Sequence, residues 1–173
     1  MIQHKRMTAL LIILVSLAGC AAPTNEKIRL PGELPGWKLG LKVQDRLTSS
    51  VRWEHIPVDE YISKWSRRYT VQFYDTRQTD LQTFMNGLRA KLTQRCKSIQ
   101  WQVLDKQANA LLYEWRSMGC KRYQQHHELA ILVRGKHGLH RAAYSEKKPQ
   151  ISTETYQLWK KKLLGAWVEL GSP

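Results

Sequence analysis

Between Cys96 and Cys120 the chain alternates. Ile99, Trp101 and Val103 interleave with polar neighbours on one arm, and Leu111, Tyr113 and Trp115 do so on the other. Residues 105–109, DKQAN, are turn-type chemistry between them, so the stretch predicts a hairpin. If the pairing centres on Ala108, Trp101 faces Trp115, Val103 faces Tyr113 and Cys96 faces Cys120. One register thus delivers an aromatic cross-strand pair and places two cysteines at the approach a disulfide needs.

Around this hairpin the remaining elements can be read from period. Val51 and Trp53 share a face of a strand over 51–56, closed by Pro57, which cannot donate to a ladder. Residues 69–73, YTVQF, alternate strictly and read as a half-buried strand, antiparallel to the first, with Tyr61 and Trp65 in the connection. Leu81, Phe84, Met85, Leu88 and Leu92 then fall on one face of a helix over 80–95. Thr79-Asp80-Leu81-Gln82 fits a capping box before it. A second hairpin pairs 128–133 with 139–144 across the turn Arg134-Gly135-Lys136-His137-Gly138, and its first arm is apolar enough for a central strand. Lys147-Lys148-Pro149 ends the sheet.

Ser152 caps a last helix, with Ile151 and Tyr156 as a hydrophobic staple. Its apolar stripe is Tyr156, Trp159, Leu163, Trp167 and Leu170, and Gly171 ends it. The sum is an α+β domain: an antiparallel sheet of about six strands with two packed helices. This order is similar to the PsbP-like α/β sandwich over roughly residues 37–170, in architecture only and without a diagnostic motif. Such likeness implies a fold and no function.

The N-terminus speaks of location. Lys5 and Arg6 precede eleven uncharged residues, 9–19, the pattern of an export signal. The run is too short to span a bilayer, which takes about 20 apolar residues. Leu17-Ala18-Gly19-Cys20 resembles the lipobox of bacterial prolipoproteins. That resemblance implies a signal peptide over 1–19, cleavage before Cys20, and diacylglycerol with an N-acyl chain on Cys20. Two or more chains hold a protein firmly on a membrane where one does not. Residue 21 is Ala. In Gram-negative lipoproteins an Asp there commonly retains the protein at the inner membrane, so Ala implies the outer membrane with the domain facing the periplasm. A Gram-positive host would put it on the outer face of the only membrane. Residues 20–36, with Pro23, Pro31, Pro35, Gly32 and Gly36, read either as a flexible tether or as a segment lying along the domain surface. Residues 37–173 form the periplasmic domain.

With Cys20 committed to lipid, Cys96 and Cys120 remain in an oxidising compartment, and a disulfide between them is the leading reading. The rival, a reactive thiol or metal pair, lacks any C-x-x-C. The chain carries +14, two of those charges in the leader as Lys5 and Arg6. Seven Trp and seven Tyr against two Phe give apolar area with polar handles. Basic and aromatic together suggest nucleic acid, but an exported, anchored domain rarely meets it. Phospholipid head groups, lipopolysaccharide phosphates and acidic protein faces are the anions of an envelope. Lys147, Lys148, Lys160, Lys161 and Lys162 are the candidate contacts for such a surface.

Catalytic patterns are wanting. His126-His127-Glu128 resembles a metal cluster, but neighbours on a strand point to opposite faces, and no H-E-x-x-H or zinc-spaced Cys/His group accompanies it. The preferred reading is histidines solvated at strand ends, with no metal. Glu54, Glu114 and Glu128 sit within strands, Glu114 on a face expected to be polar. No catalytic residue is assigned. The leading function is a non-catalytic binding or accessory subunit of an envelope assembly. The alternative is a domain that binds lipid or a cell-wall fragment, recognisable by a deep cavity lined by Trp53, Trp101 or Trp115. An enzyme would show a cleft with convergent polar residues.

Overall fold

A computed structural model describes residues 26–45, 50–120 and 125–170. The lipobox and Cys20 lie outside the described residues, as do Lys121, Arg122 and Gly171. The elements run β1 (Glu26–Arg29), β2 (Trp37–Asp45), β3 (Ser50–Pro57), β4 (Arg67–Tyr74), α1 (Leu81–Thr93), β5 (Cys96–Lys106), β6 (Ala110–Cys120), β7 (Gln125–Arg134), β8 (Leu139–Glu146), α2 (Thr153–Leu164) and β9 (Trp167–Leu170). Seven strands form one antiparallel sheet in the order β2-β3-β4-β8-β7-β6-β5, and β1 pairs with β9 in a separate ribbon.

The expected α+β class is therefore found, with seven strands in the sheet instead of about six. Both hairpins are present, and β5 pairs with β6 in the anticipated register from Cys96↔Cys120 through Trp101↔Trp115 to Val103↔Tyr113. A bulge after Val103 then shifts the pairing by one, to Asp105↔Leu112. The Cys96–Cys120 disulfide is formed. Strands β3 and β4 are antiparallel neighbours, as read.

Helix α1 lays Met85, with Leu81, Phe84, Leu88 and Leu92, against Leu111, Tyr113, Trp115, Ala130, Leu132 and Ala143 on one face of the sheet. The opposite face carries Leu112, Leu129, Ile131, Val133, Ala142 and Tyr144. It is covered by Trp159 and Leu163 of α2 and by Ile28 of β1. Central strand β7 is apolar on both faces because both are covered.

Two expectations are corrected. Asp80, not Thr79, caps α1: its carboxylate accepts from the Thr83 N–H at 2.9 Å, while the Thr79 and Thr76 hydroxyls pair with each other at 2.7 Å. Helix α2 stops at Leu164, with Gly165 as its cap, so Trp167 and Leu170 are not part of its stripe. Residues 167–170 form β9 instead, and Val168 packs on the core. Within the stretch read as a tether or a surface segment, Glu26–Arg29 is a strand with Ile28 buried.

Candidate functional site

The cleft lies between α1 and the sheet and takes its shape from one cross-sheet row. Glu54, Thr70, Ala143, Ala130 and Tyr113 stand side by side on β3, β4, β8, β7 and β6. The two alanines in the middle leave a hollow between larger flanks. Helix α1 bridges the β5–β7 side of it. The loop entering α1 is held by Arg134, whose guanidinium donates to the carbonyls of Thr76 (3.3 Å), Arg77 (3.2 Å) and Thr79. The resulting cleft has a volume of about 540 Å³, within the roughly 300–1,000 Å³ of small-molecule sites.

Its two walls differ. On the α1–β5–β6 side stand Leu88, Leu92, Trp101, Tyr113, Trp115 and the disulfide. Trp101 stacks on Tyr113 at 4.7 Å and 12°, and Trp115 stacks on His126 at 4.5 Å. On the β3–β4–β8 side stand Arg52, Arg68 and Arg141, and Lys91 of α1 and Arg95, in the link between α1 and β5, complete the lining. Five cationic side chains thus meet two carboxylates, Glu54 and Glu128.

Both carboxylates are committed to arginines. Glu54 accepts from Arg68 at 3.1 Å and pairs with Arg52 at 2.9 Å. Glu128 pairs with Arg141, accepts from the Trp115 indole N–H at 2.6 Å and has His126 Nε2 at 3.7 Å. Burial alone would raise the Glu128 pKa. Arg141, His126 and the Trp115 N–H outweigh it and hold the carboxyl well below the usual range. Arg141 also donates to the Tyr113 hydroxyl at 2.9 Å, and burial pushes that phenol far up. Trp65, beside His126, has the Arg68 guanidinium 4.4 Å and the Lys147 ammonium 4.3 Å from its ring.

Thr70 Oγ1, Arg68 Nε and Trp101 Nε1, buried atoms on residues that line this cleft, have no hydrogen-bond partner among the described residues. Thr70 is 2% exposed and sits on the cleft floor. An unpaired buried donor costs about 1–3 kcal/mol, so each of these groups favours a hydrogen-bonding partner at this hollow.

The remaining histidines are structural. His126 and His127 do point to opposite faces, as expected. They are not solvated at strand ends, however: they are 1% and 0% exposed, and His140 is 1% exposed. His127 Nδ1 accepts from the Ile151 N–H at 2.9 Å, so its other nitrogen carries the proton toward Glu114 at 3.3 Å. Burial, reinforced by Glu114, pushes Tyr156 up to about 12. The face expected to be polar at Glu114 is interior, because α2 covers it. His140 Nε2 lies 3.2 Å from Glu26, whose carboxylate also accepts from the N–H groups of Lys136 (2.7 Å) and His137 (3.0 Å). Among the described residues no group of His, Cys, Asp or Glu is arranged to hold a metal ion.

The candidate anion contacts fall at the two ends of α2. Lys147 lies over Trp65, and Lys148 pairs with Glu146 at 3.4 Å. Lys160, Lys161 and Lys162 occupy the last turns, where Lys162 donates to the carbonyl of Pro31 at 3.0 Å. Trp101 and Trp115 line the cleft, while Trp53 lies elsewhere, with Lys42 over its ring. Sequence reasoning missed Arg52, Arg68, Thr70 and Arg141. The available signal was a strand too apolar to have a wet face, which makes any charge beside it an interior charge. No protein-family model, curated protein or solved structure matches this chain. The similarity to the PsbP-like sandwich that element order suggested accordingly carries no functional argument.

Proposed function

We propose that the chain is a lipid-anchored envelope lipoprotein whose domain binds a ligand in the cleft between α1 and the sheet, without chemistry of its own. The observation that carries this is the cleft itself: about 540 Å³, two tryptophans on one wall and arginines on the other. A cavity lined by Trp101 or Trp115 is what the binding alternative required. Convergent polar groups are also what an enzyme would show. Yet Glu54 and Glu128 are each tied to arginines, and a general acid needs a pKa near the working pH. Glu128 is held in the opposite direction. The lipobox reading at Leu17-Ala18-Gly19-Cys20 supplies the anchor and, with Ala21, the outer membrane and its periplasmic side.

Two measurements test the reading. Cys20→Ser should leave an unprocessed precursor that takes up no labelled palmitate; normal processing and labelling would end the anchor claim. Native mass spectrometry of the full chain purified from envelopes should show a small-molecule adduct that is lost when Trp101→Leu is introduced. Adduct-free protein at every purification step would count against the binding domain.

A second reading has its own observation. Leu39 and Leu41 on edge strand β2 are exposed, as are nearby Val58 and Tyr61, the last at 74%. Such a row suits an accessory subunit docking on a partner protein. A photo-crosslinker at Leu39, used in intact cells, separates the two readings: a single discrete adduct supports the assembly role.

A further inference from the structure

Accepting the cleft as a ligand site, its chemistry specifies the ligand further. From the two unlike walls and the unpaired donors on the floor, we infer that it takes a single-chain anionic amphiphile, with a phosphate head on the Thr70–Arg68 side and its chain along Trp101, Leu88 and Leu92.

Glu54 neutralises one cation's worth of Arg52 and Arg68, and Glu128 neutralises Arg141. The surplus is one guanidinium at the β3–β4 side plus Lys91 and Arg95 at the rim. A positive excess at a cleft is balanced most simply by an anion, and guanidinium forks match phosphate oxygens. The unpaired groups on this side, Thr70 Oγ1 and Arg68 Nε, are both able to donate. An anionic oxygen satisfies both; a neutral sugar fragment would leave the surplus charge in place. The opposite wall offers stacked indole and phenol rings and the Leu88–Leu92 ridge, which a head group alone would leave bare.

Hexyl phosphate, which carries both halves and stays soluble, is the probe. The full chain is placed in zwitterionic phosphatidylcholine nanodiscs, and its tryptophan emission is followed. Inorganic phosphate and hexanol are titrated as the two halves of the probe. Hexyl phosphate should bind at least about tenfold more tightly than either half, and Thr70→Val should weaken it by roughly tenfold while leaving hexanol unchanged. Thr70→Val is nearly isosteric; Arg68→Gln repeats the test from the charged partner, and circular dichroism verifies that both fold. Nanodiscs containing one tenth lysophosphatidic acid, which carries one chain, show without added probe whether the same head group is taken from a membrane or from water; saturation by either source supports the assignment. Equal affinity for hexyl phosphate and hexanol would overturn the anionic head. Equal affinity for hexyl phosphate and inorganic phosphate would overturn the chain. If the probe does not bind but purified protein carries a neutral adduct sensitive to Trp101→Leu, the binding reading stands and the anionic assignment falls. If neither is seen, both fall.

Discussion

Arg141 and Glu128 meet in the interior, and each is tolerable there only because the other is present. Removing one partner leaves a buried charge uncompensated, which costs about 3–5 kcal/mol; replacing both by apolar groups is often neutral. Arg141→Met should therefore lower stability by about that amount in urea denaturation, and Arg141→Met with Glu128→Leu should recover most of it. A double variant as weak as the single would mean that the pair stabilises the fold outright. Recovery would mean that this charge is retained for the cleft. Gly135 makes the same point sterically: a Cβ there would stand 2.5 Å from the Glu26 carboxylate and 2.9 Å from His140 Nε2. Only glycine lets the β7–β8 turn close on Glu26. Thr70 differs from both, because its hydroxyl has no partner to lose, and Thr70→Val should leave stability unchanged or slightly raised.

At the scale of elements, Glu26 is a latch. Its carboxylate closes on two backbone N–H groups of the β7–β8 turn and on His140, and so fixes β1 against β9 and the core. Burial alone would raise its pKa, but the bonds from His137, His140 and Lys136 outweigh this and hold it below the usual value. Glu26→Gln should raise hydrogen exchange in β1 and β9 and leave β6–β8 protected; unchanged exchange would show that strand pairing alone suffices. If Cys20 is acylated, only residues 21–25 separate it from this latch, about 20 Å at full extension. The domain would then sit close to its membrane. Cys96→Ser removes the other tie, a bridge over a sequence separation of 24, and should cost about 3.5 kcal/mol on the chain-entropy model. The elements also show what could be read in advance. The β5–β6 register was legible because alternation and cysteine spacing pointed to one pairing. Strand β9 was not, because Trp167 and Leu170 continue the helical spacing of Trp159 and Leu163, although Gly165 intervenes. Strand β2 was hidden by the irregularity at Gly40, where the pairing slips and its period-two pattern breaks. The cleft was least legible of all, since its hollow depends on the Ala130–Ala143 pair of one hairpin being flanked by Thr70 of β4 and Tyr113 of β6.

For the molecule as a whole, burying histidines makes stability depend on pH with one sign. His55, His127 and His140 all have pKa values below the ordinary 6.5, in each case chiefly because burial disfavours the imidazolium. The groups facing them do not reverse this. His55 stacks on Tyr69. His127 faces Glu114, Arg116, His126 and Tyr156, of which Arg116 and His126 push it further down. His140 faces Glu26 and Phe73. Below pH 6.5 the unfolded chain thus binds protons that the folded chain refuses, and stability falls as pH falls. Each such proton contributes a slope of at most about 1.4 kcal/mol per pH unit, and the three histidines act with the same sign until their folded pKa values are passed. Below about pH 4.5 the sign stays the same, because Glu26 and Glu128, held low in the fold, protonate first in the unfolded chain. The urea midpoint of the full chain should hold between pH 8 and 7, then drop steadily through pH 6 and 5, and His140→Asn should flatten part of that drop. A midpoint constant down to pH 5 would mean that the three imidazoles take up protons in place. The burial that makes these histidines acid-sensitive comes from the packing of α1 and α2 on the two faces of the sheet, and on the α1 face that packing brings the arginines of β3, β4 and β8 to one cleft with Trp101 and Trp115.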